Sequence, residues 1–596
     1  MNLHIADNAA VDAWNGTSTK DAVLPLLPSP PQPLDNLLNR HAVLACILLL
    51  VPGIIYSITA WRFHQASKIR TGTWKSPLDP PVLPYWDVLL GHFFDLVWDM
   101  KGVFDRAVKL ASHGPVEIKA AVVDFIVVSN STQVQKLFRA CGHFTNKHMA
   151  VVALQNLLGA SKDVAALFES HEVDAATSDT SNVGDSEEEG HLKDHVSGFG
   201  AYARQYLSGP YLEALLERYL VNLKDNTQSL DIHDEWVQFS DLYAFLQGLV
   251  TSATIEALMG SKIFEVNPNI VDDFWTFERG TPQFLRCIPR WFMPNRYKAR
   301  DRIFNTVKKL EELASQNISR FKSEDPAWEP YLGSRFLRAR HEYGRFLKPL
   351  PDNTKAWEKM GILFAATSNL LPSMFWYIFE SLKDQDLQQR MIAEIQSCAS
   401  PDSSDVGQNI ASLLKKPLLQ SAYAETLRLR VAIALPRTCE HDDFDLSGHR
   451  IKKDKLLIVL TWPVPEDEAA WIQSGRPPSK KGLDEFWAER FLIPKRGTAN
   501  DNCGKGDMSD YEFSLRGLSG RFMPYGGGQH LCPGRHYAKS QLIGTLAFLL
   551  SQYELELSYP SKSKEVKPDM RWFPTGSLPP NKKVPFRIRR AQTKRS

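Results

Sequence analysis

The chain has 596 residues, of which 43% are hydrophobic and 23% charged, with a formal net charge of +2. That length suits one large single-core enzyme or several average domains. The near-neutral charge supplies no basic field, and no zinc-finger spacing or RNA-binding aromatic motif occurs, so nucleic acid is not a partner. Seven cysteines lie scattered and never form a C-x-x-C pair, which argues against a disulfide framework or structural zinc and for a reducing compartment.

Residues 1–41 are polar, carry a Pro-rich stretch, and read as a disordered tail. Residues 42–61, AVLACILLLVPGIIYSITAW, form an uncharged run of twenty ending in the interface-type residues Tyr56 and Trp61. A run of this kind predicts a transmembrane helix. A signal peptide would start nearer the first residue and have a shorter apolar core. Arg62, Lys68, Arg70 and Lys75 follow the run, whereas Asp7, Asp12, Asp21 and Asp35 precede it. Positive charge stays in the cytoplasm, so the downstream part is expected there and the tail in the lumen. The Asn15-Gly16-Thr17 sequon is compatible with that topology. Residues 62–85 are basic and then Pro-rich, the composition of a hinge, and 86–596 is left as the catalytic domain.

Within that domain, Val116 to Asn130 is rich in β-branched residues and predicts one or two strands. Residues 172–190 are acidic and Ser-rich, a solvated insertion. Helical patterning is clearest over 211–223, 301–321, 356–382, 387–398 and 417–430. Trp275 to Arg302 interleaves aromatic and cationic residues, including Trp291, Phe292, Arg290 and Arg296. It fits either a membrane-surface patch or an amphipathic core segment. In the 356–382 helix, Pro372 cannot donate to the carbonyl of residue 368, so the helix should open there. In 417–430, Glu425 and Arg428 share one face at a spacing of three and can pair. Strand-like segments return at 450–460, 553–558 and 584–589, giving a mainly α protein with a minor β part.

The most informative stretch is Arg521 to Ala538, RFMPYGGGQHLCPGRHYA. Gly526, Gly527 and Gly528 let backbone lie close against a flat ligand. Pro533 is suited to the first position of the long apolar helix that follows, which would put Cys532 at its N-cap. The positive helix end and free N–H groups there favour a thiolate, and a thiolate is a strong axial ligand for iron. A phosphate loop lacks its G-K-[ST] here. Half of a metal site with His536, or an inert buried cysteine, stays open on these residues alone.

The stretch resembles the haem-binding loop of the cytochrome P450 family, with Gly528 four before the cysteine, Gly534 two after and Ala538 six after. Two positions depart from the family pattern: Tyr525 stands where Phe is usual, and His530 where Arg contacts a haem propionate. The resemblance, spanning roughly residues 76–590, implies the P450 fold, haem b as cofactor, and Cys532 as proximal ligand, with Tyr525, Gly528, His530 and Gly534 around it. It also implies a structural network of Glu425 and Arg428 with Arg490, in the segment Ala488-Glu489-Arg490-Phe491, where Ala replaces the usual Pro. Ala365 to Asn369 aligns with the family's oxygen-side A-G-x-[DE]-T, so Ser368 and Asn369 replace the acid and alcohol and are the candidate catalytic residues. Phe364, Ala365, Ser368, Val431 to Leu435 and Gly576 to Leu578 would line an apolar pocket.

The pattern S-N-x-x-P-x-x-F-W with C-P-G-R is similar to the bile-acid sterol hydroxylases, prostacyclin synthase and their fungal relatives. The resemblance therefore implies a monooxygenase of secondary metabolism. It would put one oxygen from O2 into a lipophilic, terpenoid or steroid-like substrate, fed by an NADPH-cytochrome P450 reductase. A single-pass endoplasmic reticulum protein, working as a monomer, is expected. Arg516, Arg521, Arg535 and Lys539 could greet the reductase. A peroxide isomerase or dehydratase, needing no reductase, is the alternative; a non-catalytic haem-binding protein is the third.

Overall fold

The computed structural model describes residues 50–67 and 78–592, apart from 112–113, 122, 141, 172–199, 320–325, 347–352, 399–405, 462–470, 473–475, 477–479 and 496–509. The tail, the first part of the expected anchor and the acidic insertion lie outside these residues. A first helix, α1, runs over 50–67, with Leu50, Ile54, Ile58 and Trp61 exposed. It continues past residue 61 into the stretch read as hinge. Its lower end is tied to the main body: Thr59 donates to the Tyr85 carbonyl at 2.9 Å, and Phe63 packs against a core cluster.

Two strands, β1 (Val116–Ile118) and β2 (Phe125–Val128), fill the predicted β region. Helix α2 (Ser131–Arg139) follows, capped by Asn130, whose side chain accepts from the N–H groups of Thr132 and Gln133. After the short strands β3 (Phe144–Thr145) and β4 (Val237–Phe239) comes α3 (Leu242–Met259), capped by Asp241. Helix α4 (Ile270–Glu278) packs on both α3 and the long α5 (Pro294–Asn317).

The centre of the molecule is the pair α6 (Thr354–Thr367) and α7 (Leu370–Lys383). They form one apolar rod interrupted at Ser368 and Asn369, as the missing N–H of Pro372 predicts. This rod and α3 are long and apolar enough to cross a bilayer, but both are mostly buried inside the fold. Helix α8 (Pro417–Arg430), opened by its proline, leads directly into β5 (Val431–Cys439), and β6 (Leu456–Leu460) follows. Helix α9 (Arg535–Gln552) carries the apolar stretch after the cysteine loop and ends at β7 (Tyr553–Leu557); β8 (Thr575–Ser577) and β9 (Phe586–Arg590) complete the chain.

The largest sheet has the order β1-β2-β6-β5-β8, with β3 also on β5; a three-stranded sheet is β7-β9-β4, and three further pairs of short strands lie among the described residues. Strand β5 organises the site. At its start Ala432 pairs with Gly576 of β8, and further on Arg437 pairs with Leu457 of β6. The protein is mainly helical with a smaller β part, as expected from its sequence.

Candidate active site

The cysteine loop is closed by its own backbone. The Cys532 N–H donates to the Tyr525 carbonyl at 3.0 Å, and Gly526 and Gly528 adopt φ of 78° and 68°. A side chain on Gly527 would strike the Phe138 ring of α2 at 2.3 Å, and one on Gly528 would meet the Phe138 carbonyl at 2.8 Å. The glycines are thus required by close approach to α2 as well as by conformation.

The helix start differs from the sequence-based expectation. Helix α9 begins at Arg535 with Gly534 as N-cap, because Pro533 and Gly534 complete a turn first. The Cys532 sulfur still receives the N–H groups of Gly534 and Arg535. Burial pushes its thiol above the ordinary value, against the pull of those two amides and the Arg535 charge. The helix end alone therefore does not make the thiolate; a coordinated metal deprotonates such a thiol outright.

Around this loop lie residues the sequence did not single out. Arg437 of β5 is buried and reaches the Gly527 carbonyl at 3.4 Å. Beside it, His530 has its Nε2 buried with no hydrogen-bond partner among the described residues. Burial first, then the Arg437 charge, hold the His530 imidazole down at about 4, so it is neutral near pH 7. Tyr525, where Phe was usual in the resemblance, places its hydroxyl 2.5 Å from that of Tyr423 on α8. The extra oxygen of Tyr525 thus has a buried partner.

Glu425 and Arg428 pair as their spacing predicts, and Arg490 joins them as the resemblance implied. Glu425 is fully buried and accepts from Arg428 at 2.7 and 3.0 Å, from Arg490 at 2.8 Å and from the Trp487 N–H at 3.1 Å. Burial alone would raise its pKa, but the two guanidiniums bring it below the ordinary carboxylate value. Arg490 also donates to the Gly482 and Glu485 carbonyls at 2.8 and 3.0 Å, pinning the segment that leads to the cysteine loop.

On the opposite side, Ala365 and Asn369 are the only exposed residues between Thr354 and Leu382. A helix rod otherwise embedded in core therefore has one open strip, at its break. Ser368 is buried and does not belong to that strip, which corrects its expected place beside Phe364 and Ala365 in the pocket wall. The two residues are adjacent, but one step along a helix is about 100° of rotation. Asn369 accepts from the Ser577 N–H of β8 through Oδ1 at 3.0 Å.

Strand β5 bridges the two sides. Its start pairs with β8 beside Asn369, and Leu435 and Arg437 lie against Gly526 and Gly527. Ile433 and Arg437 are four residues apart in extended chain, roughly 13 Å.

The comparisons with known proteins agree with this geometry. The family model described as Cytochrome P450 matches residues 223–585, more than half of the chain. The chain belongs to the cytochrome P450 family. Its relatives include the cytochrome P450 monooxygenase efuG of Hormonema carpetanum, 30% identical over 569 residues, covering 92% of this chain and 96% of the relative. The cholesterol 7-alpha-monooxygenase of Cricetulus griseus is 24% identical over 408 residues, covering 64% of this chain and 73% of the relative. A crystal structure of a cytochrome P450 (CYP102L1) covers 87% of this chain and all of its own, with a TM-score of 0.56 at 17% identity, a likeness of fold.

This P450 is therefore a haem-thiolate oxidoreductase of the monooxygenase kind. The residues present fit a haem. A lone cysteine sulfur takes two amide donors, and an orphaned imidazole nitrogen and a buried guanidinium stand where carboxylates would be welcome. The basic patch expected for a redox partner is smaller than its sequence suggested. Arg535 donates back to the Cys532 carbonyl at 3.0 Å and Lys539 donates to Gln420 at 2.6 Å, while Arg516 is exposed.

Proposed function

We propose that this cytochrome P450 inserts one oxygen atom from O2 into a lipophilic, terpenoid or steroid-like substrate, with electrons from an NADPH-cytochrome P450 reductase. The observation that carries the reading is the Cys532 loop, its sulfur held by two amides, joined through β5 to the side of the fold where Ala365 and Asn369 form an open strip on an otherwise buried helix. Haem b, when bound, would supply the activation of dioxygen, and Cys532 would be its axial ligand.

The protein's own residues do the rest. Gly534 and Arg535 give the sulfur two hydrogen bonds, which limit how much electron density it can release. His530 and Arg437 would hold the propionates, and Tyr525 with Gly528 would fix the loop under the ring. Phe364, with Phe274 and Phe277 of α4 packed on it at 6.4 and 5.7 Å, offers apolar surface suited to a polycyclic hydrocarbon. Asn369 presents an amide to the oxygen side. An amide donates a hydrogen bond but does not pass a proton on as a hydroxyl does. That single difference favours the peroxide isomerase as the second reading, because an isomerase needs no proton delivery.

The relatives named as monooxygenases, one of them acting on cholesterol, support the first reading and the steroid-like substrate class. Exposed Trp291 and Phe292, stacked at 3.7 Å, and the apolar face of α1 support attachment to a membrane. We place the protein as a single-pass, monomeric component of the endoplasmic reticulum with its catalytic domain in the cytoplasm. The test is a carbon monoxide difference spectrum of the membrane fraction, followed by turnover with NADPH and reductase. Absence of a thiolate-type band sinks the haem reading, and turnover only with added peroxide favours the isomerase.

A further inference from the structure

The break between α6 and α7 is filled by protein. Asn369 Oδ1 accepts from the Ser577 N–H at 3.0 Å. A β-carbon built on Gly576 would lie 2.0 Å from Oδ1, 3.1 Å from Cγ and 3.6 Å from Nδ2 of Asn369. The amide therefore rests its oxygen end on the Gly576 backbone, and only glycine leaves room for it. One turn along α7, Ser373 Oγ donates to the Asn369 carbonyl at 3.0 Å and lies 2.6 Å from Ser577 Oγ. Each hydroxyl has one proton. Since Ser373 gives its own to Asn369, Ser577 must donate to Ser373. Beyond this knot, the Trp376 indole donates to the Leu578 carbonyl at 2.7 Å and the Leu578 N–H donates to Arg430 at 2.9 Å. The end of β8 and the residue after it, Gly576 to Leu578, are thus fastened to the oxygen-side helix.

We infer that Gly576, Ser577 and Ser373 are positioning residues that fix the Asn369 amide with its nitrogen toward the open strip. The strand on the substrate side thereby sets the direction of the hydrogen-bond donor on the oxygen side. An acceptor already satisfied by a main-chain N–H cannot swing inward, so the end of the amide left to face the cavity is the donor. Without the knot, the carboxamide would be free to rotate about its last torsion, which is broad and roughly two-fold. Anything that shifts β8, including a substrate seated against Gly576, then turns or releases the donor. The inference rests on the haem reading above, and the experiment separates the two.

In the full-length, haem-loaded protein, the C–O stretch of the carbon monoxide complex senses a nearby donor, and hydrogen exchange at the Ser577 amide senses its own bond to Asn369. Asn369→Ala should raise the stretch and speed Ser577 exchange about fivefold, the loss expected from one hydrogen bond. Gly576→Ala should give the same stretch as Asn369→Ala, and the double variant should add nothing further. Ser373→Ala should move both readouts the same way by less. If Asn369→Ala shifts the stretch while Gly576→Ala and Ser373→Ala leave it at the wild-type value, positioning by β8 is wrong although the haem reading stands. If Asn369→Ala itself shifts nothing, the donor is wrong. A wild-type protein that forms no thiolate-type carbon monoxide complex refutes the haem reading instead, and Ser577 exchange, which needs no haem, still judges the knot. Should Gly576→Ala fail to fold, Ser373→Ala and Ser577→Ala carry the same comparison.

Discussion

Glu425 is the strongest test of how this fold is held together. Its carboxylate takes four hydrogen bonds from Arg428, Arg490 and the Trp487 N–H, in a place with no solvent exposure. Glu425→Gln keeps the shape but leaves two guanidiniums, one fully and one nearly buried, with no anion between them. Its new NH2 would also point at a donor. Removing one partner of a buried ion pair costs about 3–5 kcal/mol, a large part of the ~5–15 kcal/mol that separates native from unfolded chains. Arg490→Met should cost less. It leaves Glu425 and Arg428 as a neutral pair, and what it releases, including the carbonyls of Lys481, Gly482 and Glu485, carries no charge. If about 500 residues melt together, the unfolding entropy is near 1 kcal/mol per degree, so Glu425→Gln should lower the melting midpoint by only roughly 3–5 °C. Its clearer signature is loss of haem-loaded protein on expression at 37 °C. The sign with pH follows from the depressed carboxylate. Its contribution is complete above the unfolded value and is lost as pH falls through the folded one, so the gap between wild type and variant should narrow in acid. Differential scanning calorimetry at pH 7, with haem content of the purified protein, measures both. A Glu425→Gln protein with wild-type midpoint and haem content would refute the reasoning, as would Arg490→Met proving the costlier change.

Gly527→Ala should reduce haem loading and stability by about 1–3 kcal/mol, the usual cost of overpacking, since its β-carbon would overlap the Phe138 ring at 2.3 Å. Adding Phe138→Ala should restore part of the loss, and additive effects of the two changes would show that the clash is not the cause. Glu278 is buried and pushed up to about 8 by desolvation, with Arg279 pulling weakly the other way. Between about pH 4.5 and 8 the folded chain holds a proton that the unfolded chain has lost, so stability falls as pH rises, by up to about 1.4 kcal/mol per unit. Glu278→Gln should therefore match wild type at pH 5 and melt higher at pH 8.5; a gap that does not grow with pH rules this out. Cys532→Ala should abolish haem binding while leaving the folded apoprotein's far-ultraviolet spectrum intact, and retained haem with a thiolate-type spectrum would remove Cys532 from its role.

What the sequence revealed follows from the range of the interactions involved. The cysteine loop and the Glu425–Arg428 pair obey local spacing rules, so their residues could be named in advance, and helical patterning over 356–382 with Pro372 inside it foretold the break near Ser368. Arg437 escaped notice because a lone arginine at the end of an apolar strand has no spacing to mark it; only the fold sets it beside His530. Ser373 and Ser577 are 204 positions apart, and nothing local predicts that two serines will share a hydrogen bond. The Ser368 error is of a different kind. Residues beside a helix break can be assigned to the core or to the cavity only when the helix phase is known, and the break itself changes that phase.

The two sides of the site are built from different materials, and this bears on how each can change. On the sulfur side the working groups are main-chain: the N–H groups of Gly534 and Arg535, the Tyr525 carbonyl, and glycine backbone pressed on Phe138. Substitution there alters packing but cannot easily delete an amide, so the axial ligand tolerates drift such as Tyr525 for the usual Phe. On the oxygen side the working group is one side chain, Asn369, aimed by two serines and a glycine from other elements. A single replacement can re-aim or remove it. Because β5 spans both sides as one extended strand, with Ala432 on β8 and Arg437 at the glycine loop, a shift of β8 that moved β5 along its length would also disturb the cradle. The later residues of β5 pair with β6 rather than with β8, so the sulfur-side half of the strand has an anchor of its own.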